Sequence, residues 1–493
     1  MEDENEQIGV RKQKLEKIRS QGKNPYPYKF EVSHHTSEIK DKYGFIGQDS
    51  SSEEQVSLAG RVRAIRKMGK IHFIDIEDIE GRIQFYIAKN NLGEEKYEEL
   101  SNLDLGDFIG VKGNVFRTKS GELTVLAKEY DMLCKATRSL PSEHYGLKDP
   151  ELRYRHRSID LIMNPDVKDV FIKRTKAITA MREFLDSNKF FEVETPLLQS
   201  VYGGASARPF ITKINTLNIP LYLSISPELY LKRLIVGGME RVYTICKNFR
   251  NEGIDTTHNP EFTMMECYQS YADYNDMMEL TENMYAHIFN KVNGKTKVKY
   301  LDTELDFTPP WKRITMYDMV KQYTGIDVER LNKDQIGEQI REKGYEGIHI
   351  APEDTKGSLV QELFEIYCED KLVQPTFVID HPKESTPLCK LHRNNPDLIE
   401  RFEPFVYSME IGNAYSELND PILQRKLLEE QDRIRLAGDD TANPVDEEFL
   451  KAIEWGMPPT GGLGLGIDRM VMLLTNSRSI RDVIYFPFMK PTE

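Results

Sequence analysis

The chain has 493 residues, 39% of them hydrophobic and 30% charged, with a net charge of −14. That length exceeds a single hydrophobic core, so two or three domains are expected. No apolar run reaches the ~18 residues of a membrane span, and the acidic balance excludes a bulk nucleic-acid binder while leaving room for a local basic face.

Residues 1–55 read as a lead-in. The opening MEDENEQIGV is acidic and polar, unlike a secretory signal or an Arg-rich transit peptide. Residues 5–21 put Ile8, Leu15 and Ile18 on one helical stripe, which Gly22 and Pro25 end. This helix reads equally as a solvated arm or as an RNA-touching one.

Residues 56–135 change to short β-type runs: VSLAGRVRAI, IHFIDIED, RIQFYIA, DFIGVKGNV and ELTVLA, with the helical patch GEEKYEEL between the third and fourth. Five strands with a helix after the third match an OB-fold barrel, which often binds oligonucleotides. Arg61, Arg63, Arg66, Lys67 and Lys70 cluster there, with no acidic residue between Val56 and Phe73. Basic side chains suit phosphates, and nearby rings can stack on bases. Phe85 reads as barrel core; Phe73 reads equally as core or as a stacking ring.

Pro141, Gly146 and Pro150 mark a linker over 136–155. Residues 156–493 then form the larger domain. Val167, Val170, Phe171, Ile178, Met181, Phe184 and Leu185 predict a long amphipathic helix, followed by a strand, FEVETPLL, closed by Pro196. Beyond it antiparallel hairpins are more evident than βαβ units, so the class is α+β. The five cysteines are widely spaced without a CxxC pair, which fits a reducing, cytoplasmic setting and argues against a zinc site.

Four stretches carry chemistry. In SPELYLKRLIVGG, Ser226 suits a helix N-cap, Pro227 the first helical position and Gly237 the end. Glu228 falls in the first turn, where the helix dipole alone is a sufficient reason for it. FRNEGIDTTHNPEFTMMECY predicts a hairpin. Its approach strand ends at Arg250, and its return strand puts Phe262, Met264, Glu266 and Tyr268 on one face. A face that begins apolar and ends in a carboxylate and a phenol reads as a polar pocket floor. Arg250, His258 and Asn259 suit phosphate oxygens. In RFEPFVYSMEIGNAYSELND, Glu403 and Glu410 are expected to face each other across a tight turn near Val406-Tyr407, with Asn413, Tyr415 and Glu417 on one face beyond it. Facing carboxylates repel unless a cation lies between them, and hard oxygen donors suggest magnesium completed by nucleotide phosphates. PPTGGLGLGIDRMVMLL reads as a glycine-rich strand, which favours close approach of a flat ligand or another backbone. Asp468 then starts a helix, followed by Arg469.

In order and wording these stretches resemble the class II aminoacyl-tRNA synthetases, and within them the lysyl-tRNA synthetase family. FFEVETPLL is similar to motif 1, FRNEGIDTTHNPEF to motif 2 and GLGLGIDRMVMLL to motif 3; GGASARPF, SPELYLKRL, MMECYQSYADY and EIGNAYSELND are similar to the stretches that set the lysine branch apart. The resemblance spans nearly the whole chain. It implies an OB-fold barrel that binds the anticodon, joined to a catalytic antiparallel sheet flanked by helices. It also implies activation of L-lysine by ATP with Mg2+, transfer to tRNA(Lys), and a homodimer.

By the same resemblance, Arg250 holds the lysine carboxylate and the ATP α-phosphate, and Arg250 and Arg469 are the catalytic pair. Glu228 and the backbone at Gly204 meet the α-ammonium. Glu417 and Tyr268 meet the ε-ammonium, with Glu266, Asn413 and Tyr415 completing that pocket. Phe262 and Arg469 sandwich the adenine, while Glu252, His258 and Asn259 help bind ATP. Glu403 and Glu410 carry magnesium, and Arg66, Phe73 and Gln84 match anticodon-reading positions. The competing readings are an aspartyl- or asparaginyl-tRNA synthetase, a lysine ligase acting on something other than tRNA, and a nucleotide or RNA sensor on the same fold. An aspartate pocket needs cations where this one offers carboxylates.

Overall fold

The β-type runs of the N-terminal part form five strands in the computed structural model, Ser51–Met68, Ile71–Glu77, Arg82–Ala88, Phe108–Arg117 and Leu123–Cys134. They close into a ring in the order first, second, third, fifth, fourth. Only the third and fifth run parallel. Alternation sets the two faces: Ile74 and Ile76 point into the apolar core, while Phe73 and Asp75 stay partly exposed. Phe85 is fully buried there. The helical patch forms Lys89–Leu92 and Glu94–Glu99. The N-terminal helix runs Glu2–Ser20, and its Leu15 and Ile18 are buried. Gly22, with φ 71°, turns the chain after it.

The structure describes residues 2–48, 50–141, 147–352 and 354–491. It divides into two compact units, Met1–Gly146 and Leu147–Glu493. Part of the expected linker, 142–146, lies outside the described residues, and its last stretch is the helix Pro150–Arg155.

The second unit is built on a ten-stranded sheet. Eight of its strands follow the order Lys312–Thr315, Thr376–Pro382, Asn395–Val406, Gly412–Ser416, Thr460–Gly466, Glu261–Ser270, Arg241–Phe249, Phe191–Glu192, and the short strands Leu391–His392 and Met409–Glu410 each pair with Asn395–Val406. The two edge pairings are parallel and those between them antiparallel. The strand expected over FEVETPLL shrinks to Phe191–Glu192, where Pro196 and its missing donor stop the ladder soon after.

Helices Pro165–Ser187, Tyr274–Asn293 and Ile467–Thr475 supply the apolar layer on one face. Alternate strand residues meet it: Met265 and Cys267, Leu463 and Leu465, Ala414, Phe402. Asp468, nearly fully buried, braces this layer. It accepts from Arg174 of the long helix (2.6 Å) and from the Thr263 backbone N–H (2.7 Å), and Arg174 also donates to the Thr263 hydroxyl (3.1 Å).

Candidate active site

The opposite face of the same strands lines a cavity of about 460 Å³. Register stacks its floor in rows. Arg401 lies opposite Tyr415, Tyr415 opposite Gly462, and Gly462 opposite Tyr268. In the next row Asn413 and Glu266 flank Gly464. Glycine at the middle of each row keeps the floor low. A methyl group at position 462 would overlap Oε1 of Glu417 and lie 2.5 Å from the Tyr268 ring.

Three buried carboxylates converge at one end. Glu228 opens the helix Glu228–Val236, one residue later than expected, and its backbone N–H donates to Ser226 Oγ (3.1 Å). Gly204, at φ 87°, backs onto this turn. A Cβ there would lie 2.8 Å from Ser226 Oγ and 3.0 Å from Glu228 Cβ. The Ser226 hydroxyl donates to Glu266 Oε1 (2.8 Å), and the Tyr268 hydroxyl donates to Glu266 Oε2 (3.1 Å). Tyr268 has thereby used its one proton, so its oxygen offers only lone pairs to the cavity. Glu417 is fully buried, and neither of its carboxylate oxygens has a hydrogen-bond partner.

One side chain that the sequence reading did not single out joins this group. Lys232, one helical turn after Glu228 and fully buried, places Nζ 2.6 Å from Glu228 Oε1 and 2.5 Å from Glu417 Oε2. Burial opposes its charge, but Glu228 and Glu417 outweigh that and hold it above the usual lysine value. The carboxylates are short of countercharge. Burial, with Glu228 nearby, pushes Glu266 up to about 8. Burial also lifts Glu417 to about 8 against the pull of Lys232, and raises Glu228.

At the other end Arg250 lies over the Phe262 ring, 5.1 Å from its centre, with its buried Nε unpartnered. Arg469 sets Nη2 3.1 Å from His258 Nε2, donates to the Glu410 carbonyl, and lies 3.7 Å from the Glu410 carboxylate. His258 is itself held by Asp255 (2.8 Å). Glu252 lines the cavity from an exposed position. Asn259 lines it too, but its side chain is engaged: it donates to the Glu261 carbonyl (2.6 Å) and accepts from the Phe488 N–H (3.2 Å).

The turn beside the acidic pair differs from expectation. Phe405 pairs with Glu410 and Val406 with Met409, so the turn is Tyr407-Ser408, both with φ between 50° and 58°. Neither is Gly or Asn, so the turn carried no ordinary signal. Glu403 and Glu410 therefore share a face diagonally rather than directly opposite. Burial lifts Glu403 to about 7, with Arg401 pulling down and Glu410 pushing up. Arg401 pairs with Glu403 and donates to Asn413 Oδ1 (2.9 Å), while Asn413 donates to the Tyr415 hydroxyl. Arg401 thus links the acidic pair to the carboxylate pocket.

In the barrel Arg66 pairs with Asp75 (2.9 Å). The half-buried Phe73 ring meets Tyr86 edge-on at 5.3 Å, and Tyr86 meets Phe116 at 5.7 Å. Gln84 is buried, accepting from Thr124 (3.2 Å) and donating to Glu122 (3.2 Å).

A family profile described as "tRNA synthetases class II (D, K and N)" matches residues 149–490, and one described as "OB-fold nucleic acid binding domain" matches 56–133. The chain belongs to the class II tRNA synthetases. Among relatives of this class II chain, a lysine--tRNA ligase of Clostridium novyi (strain NT) is 54% identical over 488 residues, covering 99% of this chain and 95% of the relative. Lysine--tRNA ligases of Clostridium perfringens (strain ATCC 13124) and Clostridium botulinum (strain Langeland) are each 53% identical, covering 99% of this chain and 96% and 97% of theirs.

In this class II synthetase the structure brings Gly204, Glu228, Arg250, Phe262, Glu266, Tyr268, Glu403, Glu410, Asn413, Tyr415, Glu417 and Arg469, all singled out from the sequence, to the lining of one cavity. The sequence reading missed Lys232, Arg401 and Tyr86. Arg401 shares strand parity with Glu403, and Lys232 stands at the i+4 spacing from Glu228. Those were the signals available.

Proposed function

We propose that the chain is a lysine–tRNA ligase, activating L-lysine with ATP and transferring it to the 3′-terminal adenosine of tRNA(Lys). One observation carries this reading. A fully buried carboxylate, Glu417, leaves Oε1 without a partner beside a phenol oxygen that can only accept. Such an end is built for a donor that carries positive charge. An aspartate side chain would add another acceptor to three buried carboxylates, and an asparagine amide would bring them a donor without the positive charge they lack.

The lysine carboxylate attacks the α-phosphorus of ATP; the new P–O bond forms as the bond to pyrophosphate breaks. The attacking group is already an anion, so no protein base is needed. Arg250 neutralises the carboxylate and α-phosphate and aligns them, while Arg469 and Phe262 hold the adenine. The 3′-terminal hydroxyl of tRNA then attacks the lysyl carbonyl, and AMP leaves. Glu228 and Gly204 receive the α-ammonium, and Glu417 with Tyr268 the ε-ammonium. Glu266, Asn413 and Tyr415 orient those groups. Glu252 and His258 are assigned to the ATP phosphates, and Asn259 ties the end of their loop to Phe488.

Glu403 and Glu410 fit a magnesium ion. They are hard oxygen donors on one strand face whose charges already crowd each other, and no group of three or more His, Cys, Asp or Glu among the described residues is arranged to hold a metal alone. Two protein ligands completed by phosphate oxygens suit that ion, which when bound supplies charge neutralisation on the nucleotide.

In the barrel, Arg66 and Phe73 offer charge and a stacking face to the anticodon, with the buried Gln84 held beside them by Thr124 and Glu122. Exposed Phe191, Leu198 and Ile211 support a homodimer built around motif 1. Five free thiols are in keeping with a cytoplasmic setting. No described helix is long and apolar enough to cross a membrane. Pyrophosphate exchange across the twenty amino acids tests the proposal: exchange driven by lysine supports it, and exchange driven by aspartate or asparagine instead overturns it.

A further inference from the structure

Lys232 has no part in the reading above, yet it sits within it. Its side chain is fully buried, so it cannot be a surface charge or an exposed nucleophile. It comes from the helix that presents Glu228, and it crosses to Glu417 at the end of the central strands. It therefore ties the carboxylate assigned to one end of the substrate to the carboxylate assigned to the other.

We infer that Lys232 is a positioning residue for amino-acid selection, an internal ammonium that fixes Glu228 and Glu417 against each other and eases their ionisation when a ligand with two ammonium groups arrives. The inference rests on the lysine-ligase reading and extends it to a residue that touches no substrate. Three buried carboxylates resist ionising together, because like charges in a dry site favour keeping a proton, and without Lys232 an incoming ammonium would have to drive those protons off unaided. A protonated acid donates a hydrogen bond and tolerates a neutral side chain, so selection would be lost. Lys232 occupies one oxygen of Glu417 and leaves Oε1 free, so the pocket keeps one fixed acceptor. The groups facing this cluster are Glu228 on its own helix, Glu266 and Tyr268 on the hairpin strand, Cys389 beside Glu417, and Arg401 on the neighbouring strand. Arg401 is engaged by Glu403 and Asn413, which among the described residues leaves Lys232 as the cation paired with Glu228 and Glu417.

The experiment is pyrophosphate exchange by full-length Lys232→Met, Lys232→Arg and unsubstituted enzyme, with lysine and norleucine, from pH 6 to 9. For Lys232→Met, the KM for lysine rises about tenfold or more while that for ATP stays within about twofold. Preference for lysine over norleucine falls. The pH at which the lysine KM levels off moves upward by about one unit or more, because Glu228 and Glu417 lose the charge that holds their protons off. Titration of the free amino acid is common to both proteins and cancels. Lys232→Arg keeps the charge but spreads it over a planar fork. It is expected to raise the lysine KM without moving the pH profile, and it decides the matter should Lys232→Met not fold. An unchanged lysine KM and pH profile in Lys232→Met, a parallel rise in both KM values, or wild-type behaviour of Lys232→Arg when it is the only folded variant, overturns the inference. Lack of lysine-dependent exchange in the unsubstituted enzyme is a different result, which removes the functional reading and this inference with it.

Discussion

Gly462 and Glu417 compete for one space: a methyl group on the glycine would coincide with the Oε1 oxygen that the pocket leaves unpartnered. The absent side chain at 462 therefore shapes the cavity. Gly462→Ala is expected to displace Glu417 and press on the Tyr268 ring. Overpacking of this kind costs ~1–3 kcal/mol, so the KM for lysine rises about tenfold with that for ATP little changed. Exchange kinetics check this; an unaltered lysine KM would mean that Glu417 relaxes freely.

Glu417→Gln removes one partner of a buried charge pair, a loss of ~3–5 kcal/mol. It is expected to lower kcat/KM for lysine about 100-fold or more. Discrimination against norleucine falls with it, because a neutral amide no longer requires a cation. Wild-type kcat/KM and discrimination in this variant would contradict the assignment of Glu417 to the ε-ammonium.

Protonation should be linked to lysine binding. Glu266 and Glu417 have folded-state values raised to about 8 by burial. At pH 7 the empty pocket thus retains protons that an incoming ammonium drives off. Lysine binding is expected to release protons and to tighten as pH rises from 6 toward 8. For stability the sign is the reverse: groups with raised values contribute stability that is full below the unfolded carboxylate range and is lost as pH rises through about 8. Calorimetry of lysine binding in buffers of different ionisation enthalpy reads the proton count. Zero release at pH 7 would show that both carboxylates are already ionised.

Glu410→Ala is expected to abolish adenylate formation while leaving the fold intact, since Glu410 is half-exposed at a hairpin end. Its backbone carbonyl still accepts from Arg469. Exchange measured under limiting magnesium tests this, with circular dichroism as the control for folding. Normal activity under those conditions excludes Glu410 as a metal ligand.

In the barrel, Phe73→Ala is expected to weaken tRNA charging about tenfold and to spare lysine-dependent exchange, because base stacking is worth ~1–3 kcal/mol per base. Tyr86→Ala, next to it in the same row of rings, is expected to act in the same direction. Unchanged charging in a folded Phe73→Ala protein would make the ring a packing element alone.

Alternation carried most of what could be read without coordinates. The parity of Phe262, Met264, Glu266 and Tyr268 survives because a strand buried on one side repeats every two residues, and all four line the cavity. The turn after Val406 was misplaced by one residue because Tyr407 and Ser408 adopt positive φ without the glycine or asparagine that advertises it. Lys232 was invisible for a different reason. An i,i+4 Glu–Lys pair is the commonest decoration of a solvated helix, and only burial shows that this one faces inward. Arg401 was hidden likewise, its role set by partners on neighbouring strands rather than by its own stretch.

Arg174 reaches from the outer helix to Asp468 and Thr263. Phe262 and Arg469, the walls assigned to the adenine, each stand one residue from a corner of that triangle. Both walls are thus bolted to one beam. A disturbance that shifts the beam carries them together, so the slot keeps its width but changes its aim. Nucleotide affinity is therefore expected to be insulated from events at the outer surface, whereas the angle at which an α-phosphate is offered to the amino acid is expected to respond to them.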